Sequence, residues 1–167
     1  TTAFDNISHA INSGIPVISG TTAWLYKLQE VKDLCLQKGG AFLHASNFSL
    51  GVNIFFELNK KLAELMKEHN YESKIHEIHH KQKLDSPSGT AVRLSEIIAG
   101  SLDRDINEVG VYGREGITER KAKEIGIHTV RAGDIVGEHR VLFGGMGETV
   151  ELLHRAQSRE TFARGSI

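Results

Sequence analysis

Gly14-Ile15-Pro16-Val17-Ile18-Ser19-Gly20 and Ala41-Phe42-Leu43-His44-Ala45-Ser46 are two short apolar runs, and what lies between them decides the fold. The first is β-branched and bounded by glycines, the pattern of a strand buried on both faces. Between the runs, a helical stretch from about Trp24 to Gln37 carries Val31 and Leu34 as a core stripe and closes at Gly39-Gly40. Strand, helix and strand with short links make a βαβ unit, which predicts a parallel sheet. Upstream, residues 4–13 read as an amphipathic helix with Ile7, Ala10 and Ile11 on one side and Gly14 as its stop.

Downstream the pattern changes. A helix of about Ser49 to His69 carries Leu50, Ile54, Leu58, Leu62 and Leu65 at helical spacing, and Leu58, Leu62 and Leu65 are read as its core stripe. Strand-like runs follow at Tyr71–His79, Val109–Gly113, Ile125–Arg131, Glu138–Phe143 and Thr149–Ala156, interrupted by one helix near Pro87–Ala99. Gly144-Gly145-Met146-Gly147 reads as a turn. The expected fold class is α/β: a parallel-sheet unit over residues 1–48, joined to an α+β domain over 49–167 with a mixed, mainly antiparallel sheet.

The chain has 167 residues, 40% of them hydrophobic, and a net charge of −1 from 20 Lys+Arg and 21 Asp+Glu. A chain of this size removes roughly 70% of its unfolded surface from water and needs no disulfide staple. Near-neutral charge argues against nucleic-acid or polybasic membrane-surface partners. The single cysteine, Cys35, excludes an intrachain disulfide and a multi-cysteine zinc site; its apolar neighbours predict a buried thiol, and a cytoplasmic setting fits. No apolar run reaches the length of a membrane-spanning helix, and the polar start is not a signal peptide.

The densest polar cluster is His76-Glu77-Ile78-His79-His80-Lys81-Gln82-Lys83-Leu84-Asp85-Ser86-Pro87-Ser88-Gly89-Thr90. A strand ends in histidines and lysines, and a turn then starts a helix. Ser86 with Pro87 makes one good helix start; Ser88 makes another. Either way, Ser88, Gly89 and Thr90 bring amides and hydroxyls to a helix N-terminus, where an anion is stabilised and the glycine permits close approach. Histidine and lysine beside it suggest a carboxylate- or phosphate-bearing small molecule and proton transfer near neutral pH. Surface histidines and ordinary capping would give the same residues. Zinc on His76, His79 and His80 is not expected, because His79 points to the opposite strand face from the other two and no HExxH spacing occurs. Gly20-Thr21-Thr22 and Ala45-Ser46-Asn47-Phe48 follow the two parallel strands and should face one crevice beyond their carboxyl ends. Trp24 is read as packed. The segment from Arg131 to His139 reads as a tight connection between strands, at a subunit contact or within one chain.

The block His79-His80-Lys81-Gln82-Lys83-Leu84-Asp85-Ser86-Pro87-Ser88-Gly89-Thr90-Ala91 resembles the signature of the dihydrodipicolinate reductase (4-hydroxy-tetrahydrodipicolinate reductase) family. Residues 15–22, 46–53, 113–116 and 130–139 resemble further blocks of that family in the same order. The resemblance implies a reductase of diaminopimelate and lysine biosynthesis, using NADH or NADPH on a cyclic dicarboxylate. It implies His79 as proton donor/acceptor and Lys83 as general acid, with His80, Ser88, Gly89 and Thr90 at the substrate. Gly20, Thr21, Thr22, Ala45, Ser46, Asn47 and Phe48 would line the cofactor crevice of a Rossmann-like domain. A homotetramer built through the second-domain sheet would follow. The family's glycine-rich phosphate loop and the final segment that returns to the cofactor domain do not occur in this sequence, so both ends are expected to be cut and dinucleotide binding by this chain alone to be weak. A non-catalytic, oligomerising dicarboxylate-binding module is the other expectation.

Overall fold

The computed structural model describes residues 2–21 and 24–167. The first sheet has two parallel strands, β1 (Val17–Ser19) and β2 (Phe42–His44), with Val17 beside Phe42 and Ser19 beside His44. Helix α1 (Thr2–Asn12) precedes β1, and α2 (Leu28–Lys38) joins the strands after a short 3-10 turn at Leu25–Lys27. Gly14 and Gly39 have φ of 73° and 59°, the left-handed turns that end these helices without a Cβ penalty. Ile7, Ile11, Trp24 and Val31 form the buried core of this unit, with Val17 and Phe42 packed against them. The βαβ unit is as expected, but β1 is not buried on both faces. Ile18 and Leu43 are each 53% exposed, because α1 and α2 cover only the opposite face. Cys35 is half-buried, on the flank of α2.

Helix α3 (Leu50–Met66) starts at Ser49, whose side chain accepts from the Val52 N–H. Its buried face is Val52, Phe55, Asn59 and Ala63; Leu58 and Leu65, read from the sequence as core, are 50% and 60% exposed. The helix is apolar on more than one side, so periodicity alone did not choose the face. Packing chose it, around the bulk of Phe55 and a bond from Asn59 Nδ2 to the Leu94 carbonyl.

The second sheet has five strands: β3 (Glu72–His79), β4 (Gly110–Tyr112), β5 (Ile125–Arg131), β6 (Gly137–Gly144) and β7 (Thr149–Ala156), in spatial order β4-β5-β3-β6-β7. It is mixed, with β4, β5 and β3 mutually parallel, and β6 and β7 antiparallel to their neighbours. The crossover from β3 to β4 runs through α4 (Gly89–Ser101) and the single turn α5 (Ile106–Val109); a last turn, α6 (Glu160–Arg164), follows β7. Of the two possible helix starts, Ser88 is the cap of α4, its Oγ accepting from the Ala91 N–H at 3.2 Å; Ser86 and Pro87 lie outside the helix. Strict alternation buries Ser73, Ile75, Glu77 and His79 of β3 and Gly137, His139, Val141 and Phe143 of β6. That face meets Phe55, Ala63, Ala91, Leu94 and Ile98 of α3 and α4. Each Phe, Leu, Ile or Val side chain among them contributes roughly 1.5–3 kcal/mol by leaving water. Gly144–Gly147 forms the β6–β7 turn; Tyr71 packs so closely on Gly145 that a Cβ there would lie 2.8 Å from its ring. Among the described residues no helix is long and apolar enough to cross a membrane.

Candidate active site

The alternation that buries Ile75 and Val141 places polar residues at the far end of the same face, and the sheet register assembles them. Glu77 and His79 are two residues apart on β3; Glu77 pairs with His139 of β6, and His79 with Arg131 of β5. The Glu77 carboxylate is fully buried. Its Oε1 accepts from the Ser88 N–H at 3.0 Å and from Arg131 Nη2 at 2.9 Å, while Oε2 lies 2.5 Å from His79 Nδ1. Burial would raise its pKa, but these partners outweigh burial and hold it at about 2. His139 lies 3.1 Å from Ser88 Oγ through Nε2; burial and the neighbouring His79 push its pKa down to about 3.

Beyond this buried centre the chain turns outward. Lys81 N–H donates to the Gly133 carbonyl at 3.1 Å and Ala132 N–H to the His79 carbonyl at 2.9 Å, so the loop after β5 braces the loop after β3. Lys83 Nζ sits 2.8 Å from Asp85 Oδ1 with its side chain 23% exposed; burial would raise the Asp85 pKa, and Lys83 holds it below the usual range.

A cavity of about 510 Å³ gathers these groups. His79, His80, Lys83, Ser88, Gly89 and Thr90 form one wall, and Gly20, Ser46, Asn47 and Phe48 form another. Asn47 links the two, donating from Nδ2 to Thr90 Oγ1 at 3.4 Å and accepting from the Ser49 N–H at 2.9 Å. A Cβ built at Gly89 would meet nothing within 4 Å, so the helix N-terminus faces open space. The cavity thus combines an anion-accepting helix start, a lysine and four histidines, His79, His80, His139 and His154. A larger groove of about 790 Å³ between α3 and α4 holds Lys61 and Arg93 but no histidine, so the histidine-rich cluster belongs to the smaller cavity.

All six residues expected at the catalytic and substrate positions therefore share one cavity. Of the crevice residues, Ala45 lines the larger groove instead. The Thr21 hydroxyl is engaged by Trp24 Nε1–H at 3.0 Å and lies 3.2 Å from Ser19 Oγ. Thr22 lies outside the described residues. Trp24 is fully buried, as expected.

The segment from Arg131 to His139 corrects the sequence reading. It is no mere connection: Arg131 and His139 enclose Glu77, and Val136 and Gly137 line the cavity. Arg159 and Phe162 complete the wall from beyond β7. The alternation of charged residues on otherwise apolar strands was the available signal for Glu77 and His139. Glu77, His79 and His139 bring one potential metal-ligating atom each within 4.8 Å, a trio different from the His76, His79 and His80 weighed from the sequence. Because Arg131 already supplies the cation that Glu77 faces, this trio reads as an ion-paired centre.

A family model described as "Dihydrodipicolinate reductase, C-terminus" matches residues 51–167. The 4-hydroxy-tetrahydrodipicolinate reductase of Methanobrevibacter smithii is 44% identical over 171 residues, covering 99% of this chain and 60% of its own length. That of Syntrophus aciditrophicus is 53% identical over 124 residues, covering 74% of this chain and 46% of its own length. Among solved structures, a dipicolinate-bound dihydrodipicolinate reductase from Paenisporosarcina sp. TG-14 superposes with a TM-score of 0.63 at 27% identity, covering 98% of this chain and 61% of that one. The chain thus spans at most about 60% of the length of these relatives. With a family model matched over more than two thirds of its residues, on the strands and helices that build the cavity, the chain belongs to the dihydrodipicolinate reductase family.

Proposed function

We propose that this chain carries the substrate site of an NADH- or NADPH-dependent reductase that converts 4-hydroxy-tetrahydrodipicolinate to tetrahydrodipicolinate in diaminopimelate and lysine biosynthesis. One observation carries the reading: His79, Lys83 and the open Ser88-Gly89-Thr90 helix start face the same 510 Å³ cavity as the loops after β1 and β2. The amides at the start of α4 and the Thr90 hydroxyl bind a substrate carboxylate, and His80 contacts the same ligand. The net reaction replaces a hydroxyl by hydride and releases water, consuming one proton. His79 and Lys83 are the groups that hold and move protons; Lys83 also offsets negative charge that develops on the ring.

Gly20, Ser46, Asn47 and Phe48 fit the nicotinamide end of the cofactor. Bound there, the reduced nicotinamide supplies the hydride. Ala45, Thr21 and Thr22 stand beside this wall in sequence and are assigned to the same crevice. Residues 1–48 are read as part of a Rossmann-like dinucleotide domain, consistent with the exposed Ile18 and Leu43 on the uncovered face of its sheet. Residues 49–167 are read as the substrate and assembly domain. The outer face of its sheet, with Val130 and Leu153 at 38% and 48% exposure, is the surface we assign to a homotetramer. A cytoplasmic enzyme is the setting that fits.

The test is turnover by the full-length protein. His79→Gln and Lys83→Ala are expected to lower kcat at least 100-fold, the usual scale for general acid–base groups. Wild-type turnover in both variants would refute these assignments.

A further inference from the structure

Neither proton-moving group explains why a fully buried carboxylate sits behind them. An ionised carboxylate out of water is costly unless every oxygen is satisfied. Here Oε1 of Glu77 takes two donors from two other elements, the Ser88 N–H and Arg131 Nη2, at 3.0 and 2.9 Å. Neither of these groups can accept a proton bond, so both require Oε1 as an acceptor. Among the described residues Oε2 has no other hydrogen-bond donor, and the group that closes on it is His79 Nδ1, at 2.5 Å. A carboxylate can only accept, so Nδ1 carries a proton toward it, and a ring with a single N–H then keeps its lone pair on Nε2. On the far side of the ring, a Cβ at Gly137 would lie 3.0 Å from Nε2 and 3.2 Å from Cδ2. The glycine leaves that nitrogen open on the cavity side, where Gly137 and His79 are both wall residues.

We propose that Glu77 is the positioning residue of this site: its carboxylate fixes the proton on His79 Nδ1, presents Nε2 to the cavity, and with its other oxygen anchors the N-terminus of α4. The catalytic part of this inference rests on the function proposed above; the tautomer does not. One side chain couples the proton-moving histidine to the anion-binding helix start, and Arg131 locks the carboxylate from β5.

The test is a long-range proton–nitrogen NMR correlation of the His79 ring at neutral pH, in wild type and in Glu77→Gln. The amide oxygen still accepts from Ser88 and Arg131, but the amide nitrogen can only donate toward Nδ1. Wild type is expected in the Nδ1–H form, and the variant shifted at least tenfold toward Nε2–H. In turnover by the full-length protein, kcat is expected to fall at least tenfold with KM within threefold. Pyridine-2,6-dicarboxylate affinity should likewise stay within threefold. Should Glu77→Gln not fold, Glu77→Asp, which withdraws the carboxylate by one methylene, takes its place. A wild-type ring protonated on Nε2, or a tautomer unmoved by the substitution, overturns the proposal whether or not the dicarboxylate binds. A shifted tautomer with no dicarboxylate binding in either protein upholds the role of Glu77 and counts against the substrate assignment instead.

Discussion

Acid should destabilise this protein through His139, and His139→Gln should remove that dependence. His139 is 5% exposed, lies 3.1 Å from Ser88 Oγ, and shares its surroundings with Glu77, His79, His154 and Lys83. Burial and the His79 ring push its pKa from 6.5 to about 3 in the folded state. An unfolded chain binds a proton there below pH 6.5 while the folded chain does not, so stability falls as pH drops from about 6.5 toward 3. Linkage gives about 2.6 kcal/mol lost between pH 7.5 and 4.5 from this residue, and about 2.5 if the folded value is one unit higher. His154 is shifted the same way by burial, but it is common to both proteins and cancels in the difference. Glutamine does not titrate and keeps an acceptor for Ser88. Urea unfolding at pH 7.5, 6.5, 5.5 and 4.5, at one protein concentration, reads the effect. The wild-type curve should lose at least about 1.5 kcal/mol more than the variant across that range, a threshold set below the linkage figure for coupling to His79. Parallel curves would mean that His139 is not held neutral and that the buried Glu77–His79–His139 centre does not persist in solution.

Two further substitutions probe how the site is held. Ser88→Ala removes both the α4 cap and the His139 partner and should cost about 1–2 kcal/mol, a drop of roughly 2–8 °C in Tm by calorimetry. Its affinity for pyridine-2,6-dicarboxylate should fall with it. Gly165→Ala would drive a Cβ into the Phe48 carbonyl oxygen, backbone against backbone, so α6 must leave the loop that carries Asn47 and Phe48. Hydrogen exchange should rise across residues 160–164 while β3 and β6 keep their protection; unchanged exchange at α6 would show that the close approach is not maintained in solution.

Much of this architecture was legible because it depends on local chemistry. Glycines at 14 and 39 end helices, alternation marks β5 and β7 at their observed limits, and the order βαβ requires a parallel pair. The cavity's first wall was legible for the same reason: His79, His80, Lys83, Ser88, Gly89 and Thr90 are contiguous in sequence. What was not legible depends on register and packing between distant segments. Glu77 meets Arg131 and His139 only because β3 is sandwiched between β5 and β6 with that particular pairing. The buried face of α3 was misread because its apolar residues cover more than one side, and only contact with α4 and the sheet selects Phe55 and Ala63 over Leu58 and Leu65. Burial of β1 was overestimated because a β-branched run looks the same whether one face or two are covered.

The central claim is that the chain's own residues build a dicarboxylate site at the start of α4. Calorimetric titration of this 167-residue chain with pyridine-2,6-dicarboxylate tests it most directly. The account predicts saturable binding at one site per chain, weakened at least tenfold by Thr90→Val and by Lys83→Ala, in proteins whose unfolding transitions are otherwise retained. Absence of binding by the folded wild-type chain, or equal binding by both variants, would contradict it.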